Sequence, residues 1–316
     1  MTSDLELLTV GRVSVDLYAE QSGVGFAGVR SFAKSVGGTA TNVAVAAARL
    51  GHRAAVLTAV GDDEFGAYVR QALRGFGVDT RFVATHPTLR TPLAFAAMDP
   101  PEDPRLLFYR EPEAPDMVIR PADVDMAVVR DAPILWISAS ALSREPSRGT
   151  VAAMLAERAR RSHTVLDLDW RPTFWSSEDE GRRVIGAALD SVTVAVGNRA
   201  ECEIAVGTDD LDAAAAALLD RGIELGVVKL GADGVLVATR KARARVPRQD
   251  VTVVCGLGAG DAFGGALCHG LLSGWPPERM GEFANAAGAI VASRLLCADA
   301  MPTEGEILEL IGVGAR

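Results

Sequence analysis

Cysteine is scarce in this sequence, and its spacing matches no metal or disulfide framework. The chain of 316 residues has four cysteines, and none forms a C-x-x-C pair with another. This usage excludes the small disulfide-rich secreted class and gives no support to a structural zinc site. We expect four reduced core residues: Cys202, Cys255, Cys268 and Cys297.

Positive charge is also in deficit, and no basic block occurs. The 32 Lys and Arg residues are outnumbered by 41 Asp and Glu residues, for a net charge of −9. This balance argues against nucleic acid or an anionic membrane surface as the main partner. The sequence also lacks a charge-free run of membrane-spanning length and a basic leader at its first residues. We therefore expect a cytoplasmic protein whose partner is a small molecule, with no nucleic acid and no membrane.

Several catalytic motifs are missing as well. The chain contains no G-x-x-x-x-G-K-[ST], H-E-x-x-H or G-x-S-x-G pattern, so a P-loop, a zincin and an α/β-hydrolase lose their support. A G-x-G-x-x-G pattern occurs at Gly23, Gly25 and Gly28. A dinucleotide site also needs a helix start after the glycines and an acidic residue about 20 positions later, and neither is convincing here. An NAD-dependent dehydrogenase is therefore the weaker alternative, and NAD binding would identify it.

The composition that is present, 49% hydrophobic and 23% charged, suits a large buried core. Short β-rich runs alternate with longer helix-periodic runs, which predicts an α/β fold with a mostly parallel sheet and helices on both faces. Residues 14–36 and 91–111 alternate without helical period and predict extra strands. They form either surface hairpins or a small sheet that covers the site. We expect a core of residues 1–13, 37–90 and 112–316, and a discontinuous β lid of residues 14–36 and 91–111.

The expected elements follow in chain order. Parallel strands are predicted at 5–10, 54–60, 134–137, 165–169, 192–196 and 226–230, then a hairpin of 234–239 with 246–254; helices are predicted at 41–50, 64–76, 148–161, 179–189, 211–220, 262–272, 278–296 and 304–312. No strand is expected after Asp261.

The most informative segment is a glycine-rich turn that leads directly into a helix. Backbone N–H groups of Gly258, Ala259 and Gly260 would have no helical partner there, and the helix dipole would reinforce them as an anion site. Asp261 follows in the first turn, beside the position of a bound phosphate. This pairing suggests phosphoryl transfer, with Asp261 accepting a hydroxyl proton. An ordinary helix start with an acidic cap is the alternative.

Four more fragments accompany this motif along the chain. They are Gly11 with Asp16, Gly37-Gly38-Thr39-Ala40-Thr41-Asn42, Asn198-Arg199-Ala200-Glu201, and Asn285-Ala286-Ala287-Gly288-Ala289. In this order and spacing, the chain resembles the ribokinase-like (PfkB) carbohydrate kinases from end to end. The resemblance implies a three-layer α/β sandwich with a small β-sheet lid, ATP as phosphoryl donor with Mg²⁺, and Asp261 as base. It also implies that the amides of residues 258–260 form an anion hole, and it leaves a homodimer through the lid open.

The expected sugar contacts suit a polyol chemically. Asp16 and Asn42 offer the acceptor and donor groups that vicinal hydroxyls need, and Gly37 and Gly38 allow close approach of the backbone to a ligand. An acidic turn residue and a helix N-terminal asparagine are the alternatives.

The expected nucleotide and metal contacts lie in the second half of the chain. Asn198 and Glu201 provide oxygens that suit a hydrated Mg²⁺, with Glu201 acting through water; the alternative is a capping box. Lys229 ends a strand and would either reach a phosphate or lie in solvent. The expected ATP contacts are Asn198, Lys229, Gly231, Gly234 and Asn285.

The chain departs from many family members at Cys255-Gly256-Leu257, where they carry Asp-Thr. A carboxylate and a hydroxyl that lie near the metal and the nucleotide in relatives are therefore missing. A catalytically weak sugar- or nucleotide-binding relative is one alternative that follows from this loss.

Two cationic fragments indicate the substrate class. They contain Arg110 and Arg171, and they resemble segments of the sugar-acid kinases of inositol catabolism, whose substrate is 5-dehydro-2-deoxygluconate. An arginine fork matches a carboxylate in a bidentate manner. Ion pairs of Arg171 with Asp167 or Asp169, and of Arg110 with Glu111, are the alternatives. We expect phosphorylation of a primary hydroxyl of that sugar acid, with 2-keto-3-deoxygluconate or a neutral sugar such as fructose or ribose as other candidates.

Overall fold

Residues 5–312 are the part of the chain that the computed structural model describes; residues 1–4 and 313–316, the ends of the predicted core, lie outside it. The strands are β1 Leu7–Val10, β2 Ser14–Ser22, β3 Phe32–Gly37, β4 Ala54–Gly61, β5 Val83–His86, β6 Leu93–Met98, β7 Arg105–Tyr109, β8 Ile134–Ser138, β9 Thr164–Asp167, β10 Val194–Asn198, β11 Leu225–Lys229, β12 Val235–Ala238 and β13 Arg243–Val246. The helices are α1 Thr39–Arg49, α2 Glu64–Gly75, α3 Met126–Asp131, α4 Ser147–Arg158, α5 Glu178–Leu189, α6 Arg199–Val206, α7 Leu211–Asp220, α8 Ala259–Leu272, α9 Pro277–Ala292 and α10 Glu304–Leu310.

Nine strands form one twisted layer in the order β13-β12-β11-β10-β9-β8-β1-β4-β5. The seven strands from β11 to β5 in this order are parallel, and β12 and β13 extend the sheet antiparallel. Every residue of β1 and β4 is buried, as expected for strands that are covered on both faces. Helices α1, α2, α8, α9 and α10 pack on one face, and α3 to α7 pack on the other. The predicted α/β class is confirmed.

A second sheet of four strands has the order β3-β2-β6-β7. Strand β2 pairs parallel with β6, whereas the two outer pairings are antiparallel. The strands predicted in residues 14–36 and 91–111 therefore exist and pair with each other. The G-x-G-x-x-G pattern lies in the connection from β2 to β3 and contains only a short 3₁₀ turn, Phe26–Gly28, without the strand-to-helix junction of a dinucleotide site.

One predicted strand is wrong. The second strand of the late hairpin was expected at 246–254, but β13 spans Arg243–Val246. Pro247 cannot donate a hydrogen bond, so the ladder ends before it. The next residues leave the sheet, and Val254 donates a backbone hydrogen bond to the carbonyl of Ala292 at 2.8 Å. The three late helices and the absence of a later strand within residues 5–312 agree with expectation.

Candidate active site

The parallel strands end at one edge of the large sheet, and a cavity of about 250 Å³ lies there. In open α/β sheets, ligands bind at the carboxyl ends of the strands. The side chains at this edge come from the ends of β1, β9, β10 and β11, and the small sheet adds two more from β2. They are Arg12, Asp167, Asn198 and Lys229, with Asp16 and Tyr18. We call this space the catalytic cavity.

The start of α8 forms one wall of the catalytic cavity. Gly258, the N-cap, has a φ of 81°, and a Cβ there would lie 2.5 Å from the Sγ atom of Cys297, so both conformation and space require glycine. The first helical hydrogen bond runs from Ala262 N to Gly258 O at 2.9 Å. The preceding amides, including those of Ala259 and Gly260, have no partner within the helix. These free amides therefore lie at the start of α8, where the sequence motif places them, and their role as an anion hole stays a prediction.

Asp261 lies beside these amides and faces Asn42 of α1. Asn42 Nδ2 donates a hydrogen bond to Asp261 Oδ2 at 2.7 Å. Burial raises the pKa of Asp261 to about 6, although the hydrogen bond from Asn42 lowers it. The Oδ1 atom of Asn42 is buried and has no hydrogen-bond partner within residues 5–312. A carboxylate with such a pKa can accept a proton near neutral pH.

Asp16 of β2 lies in the wall that the small sheet provides. It accepts hydrogen bonds from Ser14 Oγ at 2.6 Å and from Tyr18 OH at 3.2 Å, and burial raises its pKa. A Cβ at Gly37 would lie 2.0 Å from the carboxylate of Asp16, so only glycine leaves room for this side chain. Gly38 and Asn42 line the same cavity. The structure thus brings the expected sugar contacts together with Asp261.

Two arginines share one buried carboxylate at the floor of the cavity. Arg171 Nε donates to Asp169 Oδ1 at 3.1 Å, and Arg12 Nη2 lies 3.4 Å from the same oxygen. Burial would raise the pKa of Asp169, but the two guanidinium groups hold it well below its usual range. The ion pair of Arg171 with Asp169 that the sequence left open is therefore present. Arg12 was not predicted, although a charged residue two positions after a buried strand could have indicated it.

Arg110 lies elsewhere. Its Nη2 atom donates to Asp116 Oδ1, and its Nη1 atom donates to the carbonyl of Val13 at 3.4 Å. It lines a second cavity of about 250 Å³ and not the catalytic one. The alternative pairing with Glu111 is wrong, because Arg110 pairs instead with Asp116, six positions further along in the 3₁₀ turn Pro115–Met117. Glu111 instead lies 3.6 Å from Arg144.

Asn198 and Glu201 form the capping box that the sequence offered as an alternative. Asn198 Oδ1 accepts from Glu201 N at 2.9 Å, and Glu201 Oε2 accepts from Asn198 N at 2.7 Å. Lys229 Nζ lies 3.9 Å from the same Glu201 oxygen and 3.3 Å from the position of a Cβ at Gly260. Burial would lower the pKa of Lys229, but Glu201 and Asp167 raise it, so the lysine stays charged beside the start of α8.

Residues 5–312 contain no cluster of three or more His, Cys, Asp or Glu side chains that could enclose a metal ion. Carboxylate and amide oxygens at Glu201 and Asn198 still fit Mg²⁺, which usually keeps several waters and binds phosphate oxygens as well as one or two carboxylates. Asp167 lines the same cavity, and burial raises its pKa.

A larger cavity of about 440 Å³ lies on the other side of Gly260. It is lined by the expected nucleotide contacts Lys229, Gly231, Gly234 and Asn285, and by apolar side chains that include Val251 and Phe263. We call it the nucleotide cavity. Asn198, the remaining expected ATP contact, lines the catalytic cavity instead.

The divergent segment at Gly256 is where the small sheet reaches both cavities. Gly256 N donates to the carbonyl of Pro101, in the loop between β6 and β7, at 2.8 Å. A Cβ at position 256 would lie 2.1 Å from the carbonyl oxygen of Glu102. Glu102 lines the catalytic and the nucleotide cavity alike. Glycine at position 256 therefore leaves room for the tip of the small sheet.

Comparison with known families now identifies the class of protein. The model of the pfkB family carbohydrate kinases matches residues 4–304, nearly the whole sequence. The chain belongs to this family and is a carbohydrate kinase, as its motifs indicated.

Comparison with individual proteins is more specific than the match to the family. Over 315 residues the chain is 34% identical to the 5-dehydro-2-deoxygluconokinase of Geobacillus thermodenitrificans, with 97% of this chain and 93% of the relative covered. A protein of E. coli, solved in complex with ATP and Mg²⁺, has a TM-score of 0.88 at 23% identity, over 98% of this chain and 99% of that one. The fructokinase of Xylella fastidiosa, solved with bound ATP, has a TM-score of 0.85 at 26% identity, with 98% of each chain covered. The ribokinase-like fold is thereby confirmed.

None of the helices in residues 5–312 combines the length and hydropathy needed to cross a membrane.

Proposed function

We propose that this carbohydrate kinase transfers the γ-phosphoryl group of ATP to a primary hydroxyl of a small sugar acid, most of all 5-dehydro-2-deoxygluconate. The observation that carries the proposal is the free cationic edge of Arg171 in the cavity that also holds Asp261. Its Nε atom is fixed by Asp169, and within residues 5–312 its two terminal nitrogens have no hydrogen-bond partner. A neutral sugar offers that edge only uncharged hydroxyl acceptors, whereas a carboxylate matches both its charge and its geometry in a bidentate manner. The shared likeness to a 5-dehydro-2-deoxygluconokinase agrees with this choice.

In the proposed reaction, Asp261 accepts the proton of the primary hydroxyl while the oxygen of that hydroxyl forms a bond to the γ-phosphorus. The bond from that phosphorus to the β–γ bridging oxygen breaks, and ADP leaves. The amides of Gly258, Ala259 and Gly260, together with Lys229, hold the charge of the migrating group.

The nucleotide cavity supports ATP as donor, because its apolar walls suit a flat base and it meets the catalytic cavity at Gly260. Mg²⁺, when bound, would neutralise phosphate charge, and Glu201 with Asn198 would hold it through water. Asp16 and Asn42 would orient the hydroxyls of the sugar acid.

We propose that the four-stranded sheet is the lid and that the remaining chain is the core, with the boundaries predicted above. A lid of this kind excludes water from the phosphoryl group.

A homodimer through this sheet is supported by its edge strand β7, where Leu107 is 45% and Tyr109 is 59% exposed. Sedimentation of the wild type and of Tyr109→Lys tests it. The cytoplasmic location stays a prediction.

The test is an ADP-release assay on a panel of acceptors: 5-dehydro-2-deoxygluconate, 2-keto-3-deoxygluconate, fructose and ribose. We expect the highest kcat/KM with the first. A preference for either neutral sugar would reject the sugar-acid proposal and leave the kinase class intact. Nucleotide binding with no acceptor-dependent ADP release would instead favour a catalytically weak binding relative.

A further inference from the structure

The cluster of Arg12, Arg171 and Asp169 lies in the catalytic cavity, whose lining also includes the carboxylates of Asp16 and Asp261. Two guanidinium groups face one carboxylate, and Asp169 accepts a further hydrogen bond from Ser138 Oγ at 2.6 Å. Arg12 and Asp169 are only 8% and 3% exposed. Because one carboxylate contacts both guanidinium groups, some of their N–H groups are left to donate to an anionic group of a ligand.

Arg12 is held in one orientation. Its Nη2 atom donates to Thr39 Oγ1 at 2.7 Å, and its Nε atom lies 3.5 Å from Asp169 Oδ2. The guanidinium carbon also lies 5.6 Å from the ring centre of Phe174. Within residues 5–312, Nη1 of Arg12 has no hydrogen-bond partner. A fixed guanidinium with a free nitrogen is prepared to bind an anion, because little side-chain entropy is lost on binding.

The position of Arg12 differs from that of the other two arginines. Arg171 lines only the catalytic cavity and Arg110 lines only the second one, whereas Arg12 lines both. Leu106 and Phe108 lie at the same boundary. A six-carbon sugar acid carries its carboxylate and its primary hydroxyl at opposite ends. With the hydroxyl at Asp261, the carboxylate end extends away from the base, along the floor that Arg12 and Arg171 share.

We propose that Arg12 is a specificity-determining residue that binds the substrate carboxylate together with Arg171, while Asp169 orients both guanidinium groups. The proposal rests on the proposed function, because only an acidic substrate offers this carboxylate. It assigns substrate recognition to a residue outside the motifs that marked the site, and it leaves Arg110 a structural partner of Asp116.

The test compares wild type, Arg12→Met and the control Arg144→Gln, with 5-dehydro-2-deoxygluconate and with its neutral amide as acceptors. Methionine keeps an unbranched apolar side chain and removes the charged end, while Arg171 and Ser138 still contact Asp169. The variant is therefore expected to fold, and thermal unfolding checks this. Arg144 is an exposed arginine that lines the second cavity and not the catalytic one.

We expect Arg12→Met to raise KM for the acid about 10-fold or more, in line with the loss of a hydrogen bond between charged groups, with a much smaller effect on kcat. KM for the amide should change less than threefold, and Arg144→Gln should match wild type. Two results with a folded Arg12→Met variant would show that Arg12 has no role in carboxylate binding. One is an equal rise in KM for both acceptors, and the other is an unchanged KM for both. If Arg12→Met fails to fold, Arg12→Lys must show the same selective rise in KM for the acid, and an unchanged KM in that variant overturns the proposal.

These outcomes separate the two proposals. A wild-type enzyme that phosphorylates the acid and ignores Arg12→Met overturns this inference alone. A wild-type enzyme that phosphorylates no sugar acid overturns the proposed function, and the carboxylate role of Arg12 with it.

Discussion

The amide nitrogen of Asn42 donates a hydrogen bond over 2.7 Å to one carboxylate oxygen of Asp261. The bond fixes Oδ2 and leaves Oδ1 as the oxygen that can accept a proton from a substrate hydroxyl. It also stabilises the charged form of a carboxylate whose burial raises its pKa to about 6. In the proposed mechanism, Asn42 therefore tunes the base and also offers a group to the sugar.

This contact predicts a pH dependence. Because Asp261 must be deprotonated to act as base, kcat/KM of the wild type should rise with pH through about 6 and then level off. Asn42→Leu removes a hydrogen bond that lowers the pKa, so the acid limb of its profile should move to higher pH. Profiles of kcat/KM between pH 5 and 8 measure the shift. An acid limb that stays in place, or moves to lower pH, would show that Asn42 does not tune the base.

Asp261→Asn should lower kcat at least about 100-fold, the usual contribution of a general base, because asparagine cannot take up the proton. Asparagine keeps the shape of the side chain, so thermal unfolding and ATP binding by calorimetry should stay near wild type. A folded variant with near-normal turnover would contradict the assignment of the base.

Glu201→Gln should raise the Mg²⁺ concentration needed for half-maximal activity, because it removes a charge that would hold the hydrated ion. The glutamine carbonyl can still accept from Asn198 N, so the capping box and the melting temperature should be kept. A matched control is Glu203→Gln, an exposed residue on the same helix. Identical Mg²⁺ titrations for both variants would leave Glu201 with its capping role alone.

Arg171→Lys should weaken use of the sugar acid, because an ammonium group can keep the ion pair with Asp169 but cannot reproduce a planar fork. The expected loss is about 1.5–3 kcal/mol in kcat/KM, and it should appear mainly in KM if the carboxylate is bound equally in the ground and transition states. Steady-state kinetics with the acid and with fructose measure it. Equal losses for both acceptors would reject a carboxylate contact at Arg171.

The sequence predicted those parts of the site that are local in the chain. The glycine turn at Gly258 followed by Asp261 defines its own geometry, and the spacing of Asn198 and Glu201 fits both a capping box and a metal contact. Arg12 was not predicted from the sequence, because it is oriented by Asp169, which lies 157 positions away along the chain.

Arg110 was expected at the substrate because the sequence does not show that Asp116 and the carbonyl of Val13 already engage it. The strand expected at 246–254 failed for a local reason, since alternating hydrophobicity does not reveal that Pro247 ends the ladder. Hydrophobic periodicity predicts which residues are buried. It does not predict which groups from other strands and loops contact a buried charged side chain.

The hydrogen bond from Gly256 to the carbonyl of Pro101 has a thermodynamic consequence. Through Glu102, the tip of the small sheet lines both the nucleotide cavity and the catalytic cavity. A ligand that shifts the tip from one side changes the space on the other, and such coupling is reciprocal: the factor by which sugar alters ATP affinity equals the factor by which ATP alters sugar affinity. With ATP and a sugar acid bound as proposed, glycine at position 256 therefore allows one loop to border both ligands, so that the binding of either can change the affinity for the other.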